Sequence, residues 1–227
     1  MHRVWAGILP ACALWLAAVG CAPVREVSAA EPSDVIRRAT ISLPGRCAGV
    51  VAQGGEFAVT AAHCISPEED FVAVEFFDGS SDVADVALLD RGQDIAILDL
   101  TKQAPAEGLP FATALPEPGS NVYFGGRLEA MHPVQFVRVV RLGRCPSLPE
   151  VPQALFTSLR GEKGDSGAPV VDTQLQVVGL VHGGAACSIA APTKGVTQLI
   201  ASVEQKSEGT AIGGAGSAGG GEAGVPR

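Results

Sequence analysis

The feature that most restricts the fold is a series of short apolar runs that begins near Thr40. They are rich in Val, Ile and Phe, and Gly, Pro or Asp separates them. Runs of this length and spacing are typical of antiparallel β-structure, and Asp78-Gly79 between two of them is a hairpin-turn signal. We therefore predict an all-β domain that ends in a short helix near residues 198–203. The runs are residues 50–51, 57–60, 71–77, 83–89, 95–98, 134–140, 170–171 and 177–181.

Length and charge limit the classes of function. A chain of 227 residues that is 47% apolar can bury a sizeable core in one domain, or in two small ones at most. Its formal net charge is −8, and it has no run of basic residues. Nucleic-acid binding needs clustered Lys and Arg to meet phosphates, so this composition argues against it.

The first residues indicate export. Met1-His2-Arg3 is a short basic start, and residues 4–24 contain no charge, as in a secretory signal peptide over residues 1–21. Ala18-Val19-Gly20-Cys21 resembles a bacterial lipobox, in which Cys21 would carry a lipid anchor to the membrane. Two alternatives stay open, namely simple secretion after cleavage behind Ala30 and an uncleaved apolar anchor. The expected location is the periplasm or cell envelope, or the exterior.

Two segments lack an apolar period. Residues 22–38 combine Pro, Ala, Ser and charges and are interpreted as a tether. Residues 206–227 are rich in Gly and Ala and are predicted to be disordered. The domain itself is expected between them, at residues 39–205.

The cysteines agree with export. If Cys21 carries lipid, and Cys12 leaves with the signal peptide, four cysteines remain in an oxidising compartment. Four cysteines allow three pairings. A zinc site is disfavoured, because no two of them have a C-x-x-C spacing.

Three motifs carry chemistry. They are Thr60-Ala61-Ala62-His63-Cys64, an acid that starts the run at residues 94–98, and Gly164-Asp165-Ser166-Gly167-Ala168-Pro169. A serine hydroxyl needs a base, an imidazole can carry its proton, and a carboxylate can orient that imidazole. Glycines beside a serine let main-chain N–H groups converge on an oxyanion. We therefore interpret His63, Asp94 and Ser166 as a catalytic set, with Asp85 as the rival acid.

In type and order these motifs resemble those of the chymotrypsin/trypsin-like serine peptidases. T-A-A-H-C is intact, and the family's G-D-S-G-G-P has Ala168 for one Gly. The resemblance, over roughly residues 39–205, implies two packed six-stranded antiparallel β-barrels with the triad between them. It implies that His63 is the base, Asp94 its orienting acid and Ser166 the nucleophile, with the N–H groups of Gly164 and Ser166 as the oxyanion hole.

The resemblance also implies the disulfides. Residues 47–51 look like the family's partner segment for the cysteine beside the catalytic His, which pairs Cys47 with Cys64. Cys187 falls where the family often has a cysteine. The family's usual partner position is Glu162 here, which leaves Cys145 for Cys187.

Substrate-binding residues follow from the same resemblance. Residues 178–184 are similar to the strand that binds the substrate backbone, which includes Gly183 and Gly184. Arg160 stands at the base of the expected specificity pocket and His182 near its wall. These two residues would favour an acidic side chain before the scissile bond.

One departure concerns activation. No I-V-G-G-like segment precedes Cys47, so Asp165 lacks the amine that pairs with it in activated members of the family. Activation by that kind of cleavage is therefore not expected.

The sequence thus predicts an exported serine endopeptidase that acts on proteins or peptides without a cofactor or metal. One alternative is a catalytically silent member of the same fold that serves as a binding module in the envelope. The other is an envelope protein whose domain only spaces its partners. Both alternatives leave the intact triad motifs without a role.

Overall fold

The computed structural model describes residues 30–128, 134–183 and 187–213, which form twelve β-strands and two α-helices. The strands make two closed antiparallel barrels of six strands each. The predicted all-β, two-barrel architecture is confirmed. The first barrel has β1 (Thr40–Leu43), β2 (Cys47–Val51), β3 (Phe57–Thr60), β4 (Phe71–Phe76), β5 (Ser81–Asp90) and β6 (Ile95–Asp99); the second has β7 (Asn121–Phe124), β8 (Gln135–Gly143), β9 (Ala154–Thr157), β10 (Pro169–Val171), β11 (Val177–Val181) and β12 (Ile189–Pro192).

Strand order is the same in both barrels. The first closes in the order β1-β2-β3-β6-β5-β4 and the second in the order β10-β11-β12-β9-β8-β7. Residues of β4 alternate between solvent and barrel interior, with Val72, Val74 and Phe76 buried, as the period of two requires. The predicted Asp78-Gly79 turn joins β4 to β5, with Gly79 at a φ of +82°.

A shared core joins the barrels. One cluster of buried side chains contains Val59 and Ile97 of the first barrel together with Val171 and Leu180 of the second. Strands that contribute to it, such as β11, are buried along their whole length because both of their faces are covered. The two barrels are therefore held together by the side chains that pack between them.

The N-terminal tether prediction is wrong for the residues that the structure describes. Residues 32–39 form helix α1 (Pro32–Ala39), and the side chain of Ile36 is fully buried in the core shared by the barrels. Pro32 suits the first helical position, and Asp34 and Arg38 match the helix dipole at its two ends. The few apolar residues of this segment share one face of the helix, so this face packs against the core although the segment is polar in composition.

The C-terminal helix is longer than expected. Helix α2 (Val196–Gly213) includes the predicted residues 198–203 and continues into the stretch that was expected to be disordered from residue 206. Residues 214–227 lie outside the described residues, as do the expected signal peptide, Cys21, and residues 22–29 of the tether. Neither described helix has the length and apolar character needed to span a membrane.

Candidate active site

Strand pairing brings His63 and Asp94 together. His63 lies in a short 3-10 turn, Ala62–Cys64, soon after β3 ends, and Asp94 immediately precedes β6. Because β3 and β6 pair antiparallel, with Thr60 opposite Ala96, the end of one strand lies beside the start of the other. The rival Asp85 lies inside β5, opposite Phe71 and Asp99.

The His63–Asp94 contact has the geometry of an oriented imidazole. Nδ1 of His63 lies 3.0 Å from both carboxylate oxygens of Asp94, and the main-chain N–H of His63 donates to Oδ1 at 3.0 Å. The imidazole is 40% exposed, whereas Asp94 is buried. Asp94 has a φ of +56°, a left-handed conformation that is uncommon outside glycine and that its hydrogen bonds hold in place.

Asp94 is ionised at neutral pH. Burial by itself raises the pKa of this carboxyl, but hydrogen bonds from His182 and His63 outweigh burial and lower the pKa to about 2. An ionised carboxylate can only accept hydrogen bonds. The proton of the His63–Asp94 bond therefore sits on Nδ1, which leaves Nε2 of a neutral His63 free to act as a base.

Ser166 lies in a tight turn before β10. The turn uses left-handed glycines on both sides, Gly164 at φ +100° and Gly167 at φ +82°. The main-chain carbonyl of Ser166 accepts a hydrogen bond from the N–H of Ala48, at 2.8 Å, which ties the turn to the first barrel. The hydroxyl of Ser166 donates to the main-chain oxygen of His182, at 3.4 Å.

The same turn presents two unbonded donors. Among the described residues, the main-chain N–H groups of Gly164 and Ser166 have no protein acceptor. The carbonyl of Lys163 accepts a hydrogen bond from Arg127 Nη1, and the carbonyl and the N–H of one trans peptide point in opposite directions. The hydrogen bond from Arg127 to the Lys163 carbonyl therefore orients the N–H of Gly164 away from the guanidinium group. Arg127 was not expected at the site, because it stands in no recognisable motif.

A sequence model described as a trypsin-like peptidase domain matches residues 47–180, more than half of the chain. The chain belongs to the trypsin-like peptidase family. A search of curated proteins finds no significant match.

Two solved structures have a similar fold. The crystal structure of the Rv3671c protease in its inactive form has a TM-score of 0.61 and 23% identity, over 76% of this chain and 92% of that one. The MamO protease domain from Magnetospirillum magneticum, in an apo form, has a TM-score of 0.60 and 17% identity, over 72% and 96%. At these identities the likeness concerns the fold of the peptidase domain alone.

The peptidase domain has two disulfides, and they join the cysteines that the resemblance pairs. Cys47–Cys64 links the start of β2 to the turn that carries His63. Cys145–Cys187 links the loop after β8 to the segment before β12. Disulfides persist in oxidising compartments, which agrees with an extracytoplasmic setting.

Asp165 has a partner other than an activating amine. It is buried, and its Oδ2 accepts the main-chain N–H of Glu162 at 2.7 Å. The N–H of Ala168 closes the turn on the carbonyl of Asp165, at 2.9 Å. The turn that holds Ser166 is thus stabilised by hydrogen bonds among its own residues.

The residues expected to bind substrate have different contacts in the structure. Arg160 is exposed and lines a cavity of about 50 Å³ that Glu162 and Asp165 also line. The ring of His182 is bound to Asp94, with Nδ1 2.5 Å from Oδ2, so it takes part in the arrangement of the acid. Gly183 adjoins Ser166, since a Cβ on it would lie 3.5 Å from the hydroxyl, and Gly184 lies outside the described residues. A preference for acidic residues stays a prediction.

A larger cavity borders the turn that carries Ser166. It has a volume of about 300 Å³, and its lining includes Gly164, Cys47 and three basic residues, Arg46, Arg127 and Lys163. Both guanidinium groups face acids: Arg46 binds Glu69 at 2.7 Å, and Arg127 lies 3.8 Å from Glu162.

Two groups of donors in the described residues have the spacing of a metal site. In one, Cys47 and Cys64 form a disulfide and have no thiolate to offer. The other consists of His63, Asp94 and His182. Its distances of 2.5 to 3.0 Å are those of hydrogen bonds from two imidazoles to one carboxylate. We therefore describe it as a hydrogen-bonded cluster.

Proposed function

We propose that this protein is an exported serine endopeptidase that hydrolyses peptide bonds through His63, Asp94 and Ser166. The observation that carries the proposal is the buried carboxylate of Asp94 on Nδ1 of a partly exposed His63, together with a serine turn in which the N–H groups of Gly164 and Ser166 have no acceptor among the described residues. A base, its orienting acid, a nucleophile and donors for an oxyanion are then present in one cleft. No cofactor enters this chemistry.

The mechanism follows from the protonation states. Nε2 of His63 takes the hydroxyl proton of Ser166 while Oγ attacks the scissile carbonyl carbon, so that a C–O bond forms and the carbonyl oxygen becomes an oxyanion. The N–H groups of Gly164 and Ser166 bind that oxyanion. His63 returns the proton to the leaving amine as the C–N bond breaks, and a water molecule then hydrolyses the acyl-enzyme by the same steps.

The resting position of the nucleophile favours a second candidate. The hydroxyl of Ser166 donates to the carbonyl of His182, so attack requires a change of the serine rotamer toward His63. A domain that never makes this change would be a silent trypsin-like fold that binds peptides in the envelope.

A fluorophosphonate probe separates the two candidates, because it phosphonylates a serine whose base and oxyanion donors are assembled. The full-length, oxidised protein should be labelled, and Ser166→Ala and His63→Ala should abolish labelling. Ser80→Ala, at an exposed hairpin turn, is the matched control and should be labelled like the wild type. A folded wild type without labelling would support the binding module.

Export and lipid attachment are proposed from the sequence and the two disulfides. Mass spectrometry of the mature N-terminus tests them. A cleaved chain that begins at an acylated Cys21 supports a lipoprotein, and one that begins at Glu31 supports secretion.

A further inference from the structure

His182 connects the two halves of the site. It follows β11 in the second barrel, whereas His63 and Asp94 belong to the first. Its Nδ1 lies 2.5 Å from Oδ2 of Asp94, and its ring meets the ring of His63 edge-on, with centroids 5.0 Å apart and planes at 81°. Its main-chain oxygen accepts the hydroxyl of Ser166. One residue thus contacts all three members of the proposed triad.

The backbone around His182 is fixed. The N–H of His182 donates to the carbonyl of Ile189 on β12, at 3.1 Å. The preceding Val181 exchanges two hydrogen bonds with the serine turn: its carbonyl accepts from Gly167 at 2.7 Å, and its N–H donates to Ala168 at 2.9 Å. A shift of His182 would therefore move with the turn that carries Ser166.

The protonation of Asp94 determines how both imidazoles are oriented. The ionised carboxylate accepts but cannot donate, so Nδ1 of His182 must carry a proton, as Nδ1 of His63 does. Both nitrogens share Oδ2, and His182 is mostly buried, with 13% of its side chain exposed. A hydrogen bond to a charged acceptor is strongest where water is excluded.

We propose that His182 is a positioning residue of the active site: it donates its Nδ1–H to Asp94, so that one carboxylate orients two imidazoles and connects the catalytic acid of one barrel to the nucleophile turn of the other. The positioning role rests on the proposed peptidase function. The hydrogen bond itself does not, because it can be observed in an inactive protein.

The first experiment observes the two protons directly. Full-length protein labelled with ¹⁵N-histidine and kept in a chelator is examined by proton NMR for low-field imidazole N–H signals. Two Nδ1–H signals are expected. His63→Ala should remove one of them and His182→Asn the other. A wild type with only the His63 signal, or a second signal that survives in His182→Asn, would overturn the hydrogen bond.

Two substitutions separate the hydrogen bond from the bulk of the ring. In His182→Asn an amide nitrogen is attached to Cγ, where Nδ1 was, and can still donate to Asp94. His182→Phe keeps a ring but has no donor. We expect the rate of fluorophosphonate labelling to fall at least about tenfold in His182→Phe, as for loss of a hydrogen bond to a charged group. His182→Asn should recover part of that loss.

The outcomes distinguish this inference from the proposed function. If the wild type shows two low-field signals and is not labelled, the hydrogen bond stands and both the peptidase and the positioning role fail. If His182→Phe folds, as judged by circular dichroism, and is labelled as fast as the wild type, the positioning role is refuted. Equal losses of labelling in His182→Asn and His182→Phe would also refute it, since the donor would then make no difference.

Discussion

The contact between the serine turn and the first barrel predicts the effect of a single methyl group. Gly167 has a φ of +82°, and a Cβ built on it would lie 2.1 Å from the main-chain oxygen of Ala48 and 2.5 Å from Oγ1 of Thr60. The oxygen of Ala48 cannot move away freely, because it accepts a hydrogen bond from the hydroxyl of Thr60, at 2.6 Å. Gly167→Ala must therefore push the turn of Ser166 away from β2.

Gly79 provides a matched control. It has the same φ of +82°, and nothing lies within 4 Å of a Cβ built on it. Gly79→Ala should cost about 1–2 kcal/mol, the penalty for an L-residue in the left-handed region. Gly167→Ala should cost the same amount plus about 1–3 kcal/mol for the overlap with Ala48 and Thr60. The difference between the two variants isolates the packing of the serine turn on the first barrel.

Urea unfolding followed by far-ultraviolet circular dichroism measures this difference. Fluorophosphonate labelling of the same proteins should be slower in Gly167→Ala and unchanged in Gly79→Ala, because only the first substitution displaces Ser166. If both variants unfold at the same free energy and are labelled at the same rate, the serine turn does not pack on Ala48 as described, and the reasoning is refuted.

Three further predictions concern parts of the fold that support the site. Ile36→Ala should lower the free energy of unfolding by about 2–5 kcal/mol through the cavity that it leaves, whereas the exposed Arg37→Ala should have little effect; equal effects would mean that α1 is not part of the core. Because its pKa is lowered, Asp94 should make the protein more stable than the Asp94→Asn variant by about 2 kcal/mol. This difference in the free energy of unfolding should be complete above pH 3.8, the ordinary pKa of the group, and should be lost as the pH falls toward 2. A difference that stays constant in urea titrations over this range would contradict the prediction. Replacing both Cys47 and Cys64 by Ser should cost about 3 kcal/mol, from the chain entropy of a loop whose ends are 17 residues apart, and thermal unfolding that matches the wild type would rule this out.

Local pattern was sufficient for much of the architecture. The alternation in residues 71–76 and the Asp78-Gly79 turn could be predicted because a period of two and a left-handed turn residue are local properties. The two-barrel fold came from the resemblance that the three motifs carry. The contact of His63 with Asp94 was predicted in the same way, and antiparallel pairing of β3 with β6 explains it.

Helix α1 shows where local pattern failed. Its composition is polar, and a segment of eight residues has too few apolar positions for a convincing period. Ile36 is buried in the core that the two barrels share, and that core does not exist until both barrels have formed. Tertiary burial overrides weak local preference at such positions.

The sequence by itself determined which chemical groups this protein has and the local turns that present them: an imidazole after a strand, an acid before a strand and a serine between glycines. Only the tertiary structure decided which partners those groups have. His182 was expected near a pocket wall, and the structure shows that its ring binds Asp94, while the hydroxyl of Ser166 donates to the carbonyl of His182. The physical reason is that the first of these contacts crosses from one barrel to the other, and the second joins two segments of the second barrel that are 16 residues apart. Hydrogen bonds between distant segments depend on how the barrels pack, and no periodicity along the chain records that packing.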